Sequence, residues 1–305
     1  LQTLKAGLAG VSERKSKGYF GGGSSGVFVT SPLTDKVSFA TGVVTATETA
    51  NLTRSRTYLG GVSKITDTIN NDGAYFVGGY TASPNTKITE KIIYAGDISI
   101  YPYTANLEQN RAYLAGISNP DVAGYIAGGT SSLITSFVPV NTMDKITYAT
   151  DQRSAVGSLV LPASTYGLAG CSGSKDEGYF GGGNTGAFTN KIYVFDYATE
   201  QIELMSIDTL DSNRAFVACI SDGHSKGYWA GGKGGLGSVK TIEVQDIATG
   251  TLSSTGTFIL SADTSNVTGS DGNGIEGFFA GGLLSTGATK VINVLSYTTG
   301  TFLAT

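Results

Sequence analysis

An aromatic residue followed by paired glycines is written six times along this chain: GYFGGG at Gly18, AYFVGG at Ala74, GYIAGG at Gly124, GYFGGG at Gly178, GYWAGG at Gly227 and GFFAGG at Gly277. The aromatic leaders Tyr19, Tyr75, Tyr125, Tyr179, Tyr228 and Phe278 are separated by 56, 50, 54, 49 and 50 residues. A period near fifty restricts the chain to repeat architectures, in which each unit buries its apolar faces only against its neighbours. Three more landmarks keep the same beat. A small-residue segment ending in serine precedes each aromatic: LAGVS at Ser12, LGGVS at Ser63, LAGIS at Ser118, LAGCS at Ser172, VACIS at Ser221 and NVTGS at Ser270. A lysine leading an alternating apolar run follows it, at Lys36, Lys91, Lys145, Lys191, Lys240 and Lys290. Seven residues before the serines stand Lys5, Arg56, Arg111, Thr165, Arg214 and Asp263.

Each unit reads as four short strands: the small segment, the aromatic-Gly-Gly segment, the lysine-led segment and a Thr-rich one such as GVVTATET. The runs are β-branched and aromatic, are broken by Gly, Asp, Asn and Ser, and show no helical period. Units of this length with four strands are the usual module of a propeller, whose radial closure leaves only short edges. The expected fold is all-β: a single six-bladed β-propeller over 1–305, four antiparallel strands per blade. The repeats are approximately 1–52, 53–107, 108–161, 162–210, 211–260 and 261–305. Leu1, Leu52, Leu107, Leu161 and Leu210 each stand four residues before the basic or equivalent position, and the final YTTGTFLAT resembles the start of IATGTLSSTGT. The ring is therefore expected to close near the termini.

The strand-ending Gly-Gly, a tyrosine-bearing strand as in KIYVFDYATE, and an arginine before the next small segment as in DSNRAFVAC resemble kelch repeats over essentially the whole chain. The wording GYFGGG followed by DKVSFAT or DKITYAT is similar to kelch-like repeats in tail-associated and fibre proteins of bacteriophages, especially those of marine and cyanobacterial hosts. The chain departs from the pattern where the fourth-strand tryptophan is missing and where the arginine becomes Thr165 and Asp263. The resemblance implies a virion or extracellular protein whose partners are other structural chains, in a homo-oligomer or a virion assembly, with recognition of a bacterial surface glycan beside them.

Composition bears on partners. Only 14% of the 305 residues are charged and the net charge is −4, so no basic field exists to hold nucleic acid or an anionic membrane. No run of 18 apolar residues suggests membrane insertion by a helix. The opening LQTLKAGLAG lacks the charged start and long apolar middle of a signal peptide, and Leu1 in place of Met suggests processing or an excised domain.

Reactive chemistry has few candidates. His224, in SDGHSKG, is the only histidine, which excludes a His-based triad, a zinc hydrolase or the copper centre of kelch-type oxidases. SKDEG at Ser174 fits an Asp-box turn only once, and DGNGIE from Asp271 to Glu276 lacks a full calcium ligand set. Both read as hairpin loops, and the six serines read as strand-end residues bonding their own turns. Cys171 and Cys219 lie one step out of register, so their side chains are expected to point oppositely, unbridged, as buried small hydrophobes. Trp229 is expected in the core. No catalytic residue, metal or cofactor is expected, and the chain reads as a non-enzymatic binding module. A lectin or glycan hydrolase with sites between blades is the alternative, and an intracellular kelch adaptor a further one.

Two features point to contact surfaces. The loops after the glycines are apolar, carrying Val27, Phe28, Val29, Leu133, Ile134, Phe137, Val138, Phe188, Leu236, Leu283 and Leu284, whereas the loops at the other end of the units are polar. Such a one-sided patch reads as a partner-binding face. The six lysines, in a chain with few charges, are expected as a ring near the same face. They would hold the phosphate or carboxylate of a glycan, or pair with Asp35, Glu90, Asp144 and other acids.

Overall fold

The units become six four-stranded antiparallel sheets, each with its strands in chain order. The computed structural model describes residues 1–26, 29–64, 72–81, 84–132 and 137–304. The first sheet comprises Ala9–Ser12, Lys17–Gly21, Thr34–Ser38 and Val44–Ala46; the second Gly60–Ser63, Gly73–Val77, Thr89–Ile93 and Ile98–Ile100. The third holds Ala115–Asn119, Ala123–Ala127, Thr142–Thr147 and Gln152–Val160; the fourth Ala169–Cys171, Glu177–Gly181, Ile192–Asp196 and Gln201–Leu204. The fifth has Ala218–Ser221, Lys226–Ala230, Thr241–Asp246 and Leu252–Ile259; the sixth Thr268–Ser270, Glu276–Ala280, Ile292–Ser296 and Phe302–Ala304.

Among the described residues the buried apolar side chains do not form one core. Buried apolar residues form six clusters, each shared by two consecutive sheets, and one joins Phe278, Ala280 and Ile292 of the sixth sheet to Leu8, Phe20 and Val37 of the first. Both members of each aromatic pair are therefore used. Tyr19 packs toward the second sheet and Phe20 toward the sixth, and both are fully buried, because adjacent residues of a strand point to opposite faces. This stacking of sheets on both faces is a β-propeller-like, all-β architecture.

The paired glycines join sheet to sheet. The first of each pair has φ near +65 and the second near +100, a turn that L side chains resist. It aims the second glycine's N–H at the next unit: Gly23 donates to Arg56 O, Gly79 to Arg111 O, Gly129 to Thr165 O, Gly183 to Arg214 O, Gly232 to Thr264 O and Gly282 to Lys5 O, at 2.8–2.9 Å. The small first strands have a second cause, close approach. A Cβ added to Gly10 would lie 2.0 Å from Gly269 O, and one added to Gly116 would lie 2.3 Å from Gly61 O.

The carbonyls that accept the second glycines' N–H groups belong to the basic-landmark positions, whose cations make buried ion pairs with the third strand of their own sheet. Lys5 pairs with Asp35, Arg56 with Glu90, Arg111 with Asp144 and Arg214 with Glu243, all essentially inaccessible. In the other two units both charges are gone. Thr165 and Thr264 replace the cation and bond their own turns at Ala163 O and Ala262 O. The acid positions, opposite Phe180 and Phe279, hold Tyr193 and Asn293. The acids also accept backbone N–H groups from Gln2, Thr53, Glu108 and Asp211, and Asn293 accepts from Ser261. In the fourth unit Pro162 has no N–H to offer, and Tyr193 has no carboxylate to receive one. A lone buried charge is costly, so cation and carboxylate are lost together.

The pairing register moves the sixth unit by one residue. Ser12 and Ser221 lie opposite Gly18 and Gly227, whereas Ser270 lies opposite Phe278. The residue equivalent to the strand-end serines is thus Asp271, and the equivalent of the basic landmark is Thr264, not Asp263. The glycine-to-carbonyl bond at Thr264 gives the same frame.

Candidate functional site

Two residues beyond each basic landmark the chain enters the left-handed region, at Gly7, Tyr58, Tyr113, Gly167, Phe216 and Asn266. Their backbones bond in a cycle. Tyr58 N donates to Gly7 O, Tyr113 to Tyr58, Gly167 to Tyr113, Phe216 to Gly167, Asn266 to Phe216 and Gly7 to Asn266, at 2.5–3.1 Å. The left-handed turn raises the side chains off this girdle, and where they are aromatic they meet one another. Tyr58 stacks on Tyr113 with ring centroids 3.9 Å apart. Phe216 lies 5.4 Å from Tyr113 and 6.1 Å from Tyr166. Phe137, from the apolar loop of the third unit, stacks on Tyr166 at 4.7 Å and meets Tyr113 edge-on at 5.6 Å. Burial, with Tyr58 beside it, pushes the Tyr113 phenol well above its usual range.

The apolar loop of the third unit therefore meets an aromatic rosette through Phe137. Val29, Phe137, Val138, Leu236 and Leu283 are exposed, Leu236 completely, while Phe188 and Leu284 are half-buried. Val27, Phe28, Leu133 and Ile134 lie outside the described residues. The loops also pair with the entry of their own sheets: Lys233–Gly234 lies along Arg214–Ala215, and Leu283 bridges Ser265. The second pairing sets Leu283 next to Asn266, whereas Leu236 stands in the turn of the Lys233–Ser238 hairpin. Sequence reading missed the rosette, because its positions alternate among Gly, Tyr, Phe and Asn and no single residue type repeats; the fixed offset from the basic landmark is the signal that finds them.

The lysines do not form one ring. Lys36, Lys91 and Lys145 lie opposite Tyr19, Tyr75 and Tyr125, deep in the third strand. The equivalent residues in the last three sheets are Val194, Val244 and Val294. Lys191, Lys240 and Lys290 precede these valines by three or four residues and are exposed. The first three lysines reach the next sheet, away from the apolar loops. Lys36 and Lys17 bind Asp97 at 2.7 Å, Lys91 binds Asp151 at 2.8 Å and Lys145 binds Glu200. Tyr19, Tyr75 and Tyr125 donate to the same three carboxylates. Against a desolvation cost that favours the neutral form, hydrogen bonds from Lys17, Lys36 and Tyr19 hold Asp97 down at about 2.

The opposite mouth is polar and internally bonded. Ser12 N donates to Ser63 Oγ, Ser63 N to Ser118 Oγ, Ser118 N to Ser172 Oγ and Ser221 N to Asp271 Oδ1. Ser12 and Ser221 also accept from their own turns, at Arg14 N and Gly223 N. Arg14 and Asp271 bridge the first and sixth sheets at 2.8 Å. Between the two ends lies a space of about 130 Å³ lined by Gly10, Gly61, Gly116, Gly170, Cys219 and Gly269 with the residues before them.

Among the described residues no His, Cys, Asp and Glu cluster could hold a metal. Asp222 Oδ1 accepts the N–H groups of His224, Ser225 and Lys226, which makes the histidine segment a surface turn. Trp229 is fully buried and donates to Gln245 at 2.9 Å. The cysteines are free but do not point apart: both sulfurs approach Ile220 O, at 3.7 and 3.5 Å. The alternation rule applies within one sheet, and these strands belong to two sheets packed face to face. Cys219 occupies the position of Gly10, Gly61, Gly116, Gly170 and Gly269, and faces Cys171 where the other sheets have Val11, Val62 and Ile117. A larger residue on one side is matched by a smaller one on the other.

No family model matches this chain, and no curated protein matches it. Among solved structures, that of YjhT superposes with a TM-score of 0.76 over 99% of this chain and 98% of that chain, at 15% identity. At that identity the likeness is one of fold, and it agrees with the β-propeller-like stack of four-stranded sheets.

Proposed function

We propose that the six sheets are the blades of one closed, kelch-like propeller that serves as a non-enzymatic binding module, and that its partners are structural protein chains of a phage tail or fibre. The backbone cycles through the six units support the ring. The observation that carries the function is the rosette of Tyr58, Tyr113, Phe137, Tyr166 and Phe216, with Val138, Leu236 and Leu283 exposed in the apolar loops. Half-buried aromatics packed on one another, with Phe137 exposed among them and apolar loops at the rim, are the composition of an interface centre. The sparse charge and the resemblance of the GYFGGG and DKxxFAT wording to phage repeats support the virion setting.

Two measurements test this. Immunogold labelling of intact virions with an antibody to the chain is expected to mark the tail or fibre; unlabelled particles refute the setting. Hydroxyl-radical footprinting of the free chain and of the assembled particle is expected to show Phe137, Leu236 and Leu283 protected by assembly. Protection of the serine mouth with those three unchanged refutes the face.

A further inference from the structure

The six gaps between consecutive sheets do not close in the same way. In the first three, a tyrosine hydroxyl and a lysine hold a carboxylate from the next sheet's turn, at Asp97, Asp151 and Glu200. These acids occupy left-handed positions, with φ of 51, 54 and 55. The corresponding turn residues in the other units are Gly42, Gly250 and Gly300, with φ of 65, 70 and 66. Where the turn offers glycine, the lysine across the gap is valine. In the fourth gap Tyr179 donates to Glu177 of its own strand. In the sixth gap the tyrosine is Phe278, so no hydroxyl needs a partner.

In the fifth gap a phenol and a cation are both kept while the next sheet's turn supplies no acid. Tyr228 stands where Tyr19 stands, and Lys226 stands where Lys17 binds Asp97. No carboxylate lies within 4.0 Å of the Lys226 ammonium among the described residues. Asp246, across the strand from it, is occupied by Thr249 N and Oγ1, both at 2.9 Å. Gly300 stands where Asp97 stands and brings no carboxylate, and the Phe258 ring end lies 2.9 Å from the position of its missing Cβ. The result is a cavity of about 380 Å³ lined by Lys226, Tyr228, Asp246, Phe258, Tyr297 and Gly300. Tyr228 and Tyr297 stack at 5.3 Å, and Phe258 meets Tyr228 edge-on at 6.3 Å.

We propose that the gap between the fifth and sixth sheets binds a carboxylate-bearing pyranose, its carboxylate seated on Lys226 and Tyr228 as Asp97 is on Lys17 and Tyr19. The volume is that of a small-molecule site. The aromatic wall supplies the apolar face of a sugar ring with its contact, and the Ser253 hydroxyl offers a partner for a ring hydroxyl. The carboxylate on an ammonium and a phenol is a charge-assisted contact, among the stronger kinds of hydrogen bond. This site is separate from the rosette and stands or falls independently of the protein-binding reading.

Titration calorimetry and saturation-transfer NMR with D-glucuronate, and with D-glucose as the neutral control, test the assignment. Glucuronate is expected to bind and glucose not. Lys226→Met is expected to weaken glucuronate roughly tenfold or more, the loss of one charged contact. Gly300→Asp supplies the internal carboxylate and is expected to abolish binding in a folded protein, since Asp97 and Asp151 already hold that conformation; the new Cβ requires only the Phe258 ring end, 2.9 Å away, to shift. Tighter binding of a uronate oligosaccharide than of the monosaccharide would identify the ligand as part of a glycan, and equal binding as a free sugar acid. Equal binding of glucose and glucuronate, no binding of either at tens of millimolar, or undiminished binding in folded Gly300→Asp overturns the proposal.

Discussion

The joint loss of cation and acid in two units makes a quantitative prediction about the other four, worked here for Arg56 and Glu90. Both are fully buried. Arg56 Nη1 also donates to Ile88 O at 2.8 Å and Gly78 O at 3.2 Å, and Glu90 Oε1 accepts Thr53 N. Burial pulls the guanidinium down to about 10, against the opposing pull of Glu90. Arg56→Thr leaves a carboxylate buried without its counter-charge, and Glu90→Asn leaves the guanidinium so. Each single change is expected to cost about 3–5 kcal/mol. The double change installs the pair the sixth unit already uses, Thr264 with Asn293. Threonine bonds its own turn there and asparagine keeps the backbone N–H bond. Its expected cost is about 2–3 kcal/mol, from the lost packing and the lost guanidinium bonds to Gly78 O, Ile88 O and Phe76 O. Urea unfolding of the four proteins measures the cycle. A coupling below about 1 kcal/mol would refute the claim that the charges are retained only as pairs.

Three further perturbations probe the gaps. Gly10→Ala sets a Cβ 2.0 Å from Gly269 O and is expected to destabilise the protein by more than about 2 kcal/mol, whereas Gly26→Ala, with nothing within 4 Å, is expected to be near neutral in thermal unfolding. Cys171→Val alone overpacks against Cys219 and is expected to cost about 1–3 kcal/mol; adding Cys219→Gly recreates the pairing of the other sheets and is expected to recover most of that. Asp97 is held at about 2, below the usual carboxylate value near 4, so its contribution is complete above about pH 4 and is lost as pH falls toward 2. Asp97→Asn is expected to flatten the fall of Tm over that window, and an unchanged slope would exclude the latch as its cause.

Much of the architecture was legible because its causes are local. Alternating aromatics require two buried faces, paired glycines require a turn, and a fifty-residue beat requires units that pack on copies of themselves. The same reading failed where the deciding partner lies about fifty residues away. Lys36 and Lys191 look alike in sequence, yet one pairs in a gap and the other is exposed, because strand register differs by three residues between their units. Ser270 looked like the sixth strand-end serine, and only the pairing with Phe278 showed that Asp271 has that role. Alternation within one sheet points the cysteines apart, and the stacking of two sheets brings them together. The sequence by itself determined the repeating unit, its four strands and the burial of both its faces, since these follow from backbone geometry and side-chain periodicity. Tertiary structure decided which charges meet, which aromatics gather at the girdle and which gap stays open, because each depends on the face a neighbouring sheet presents.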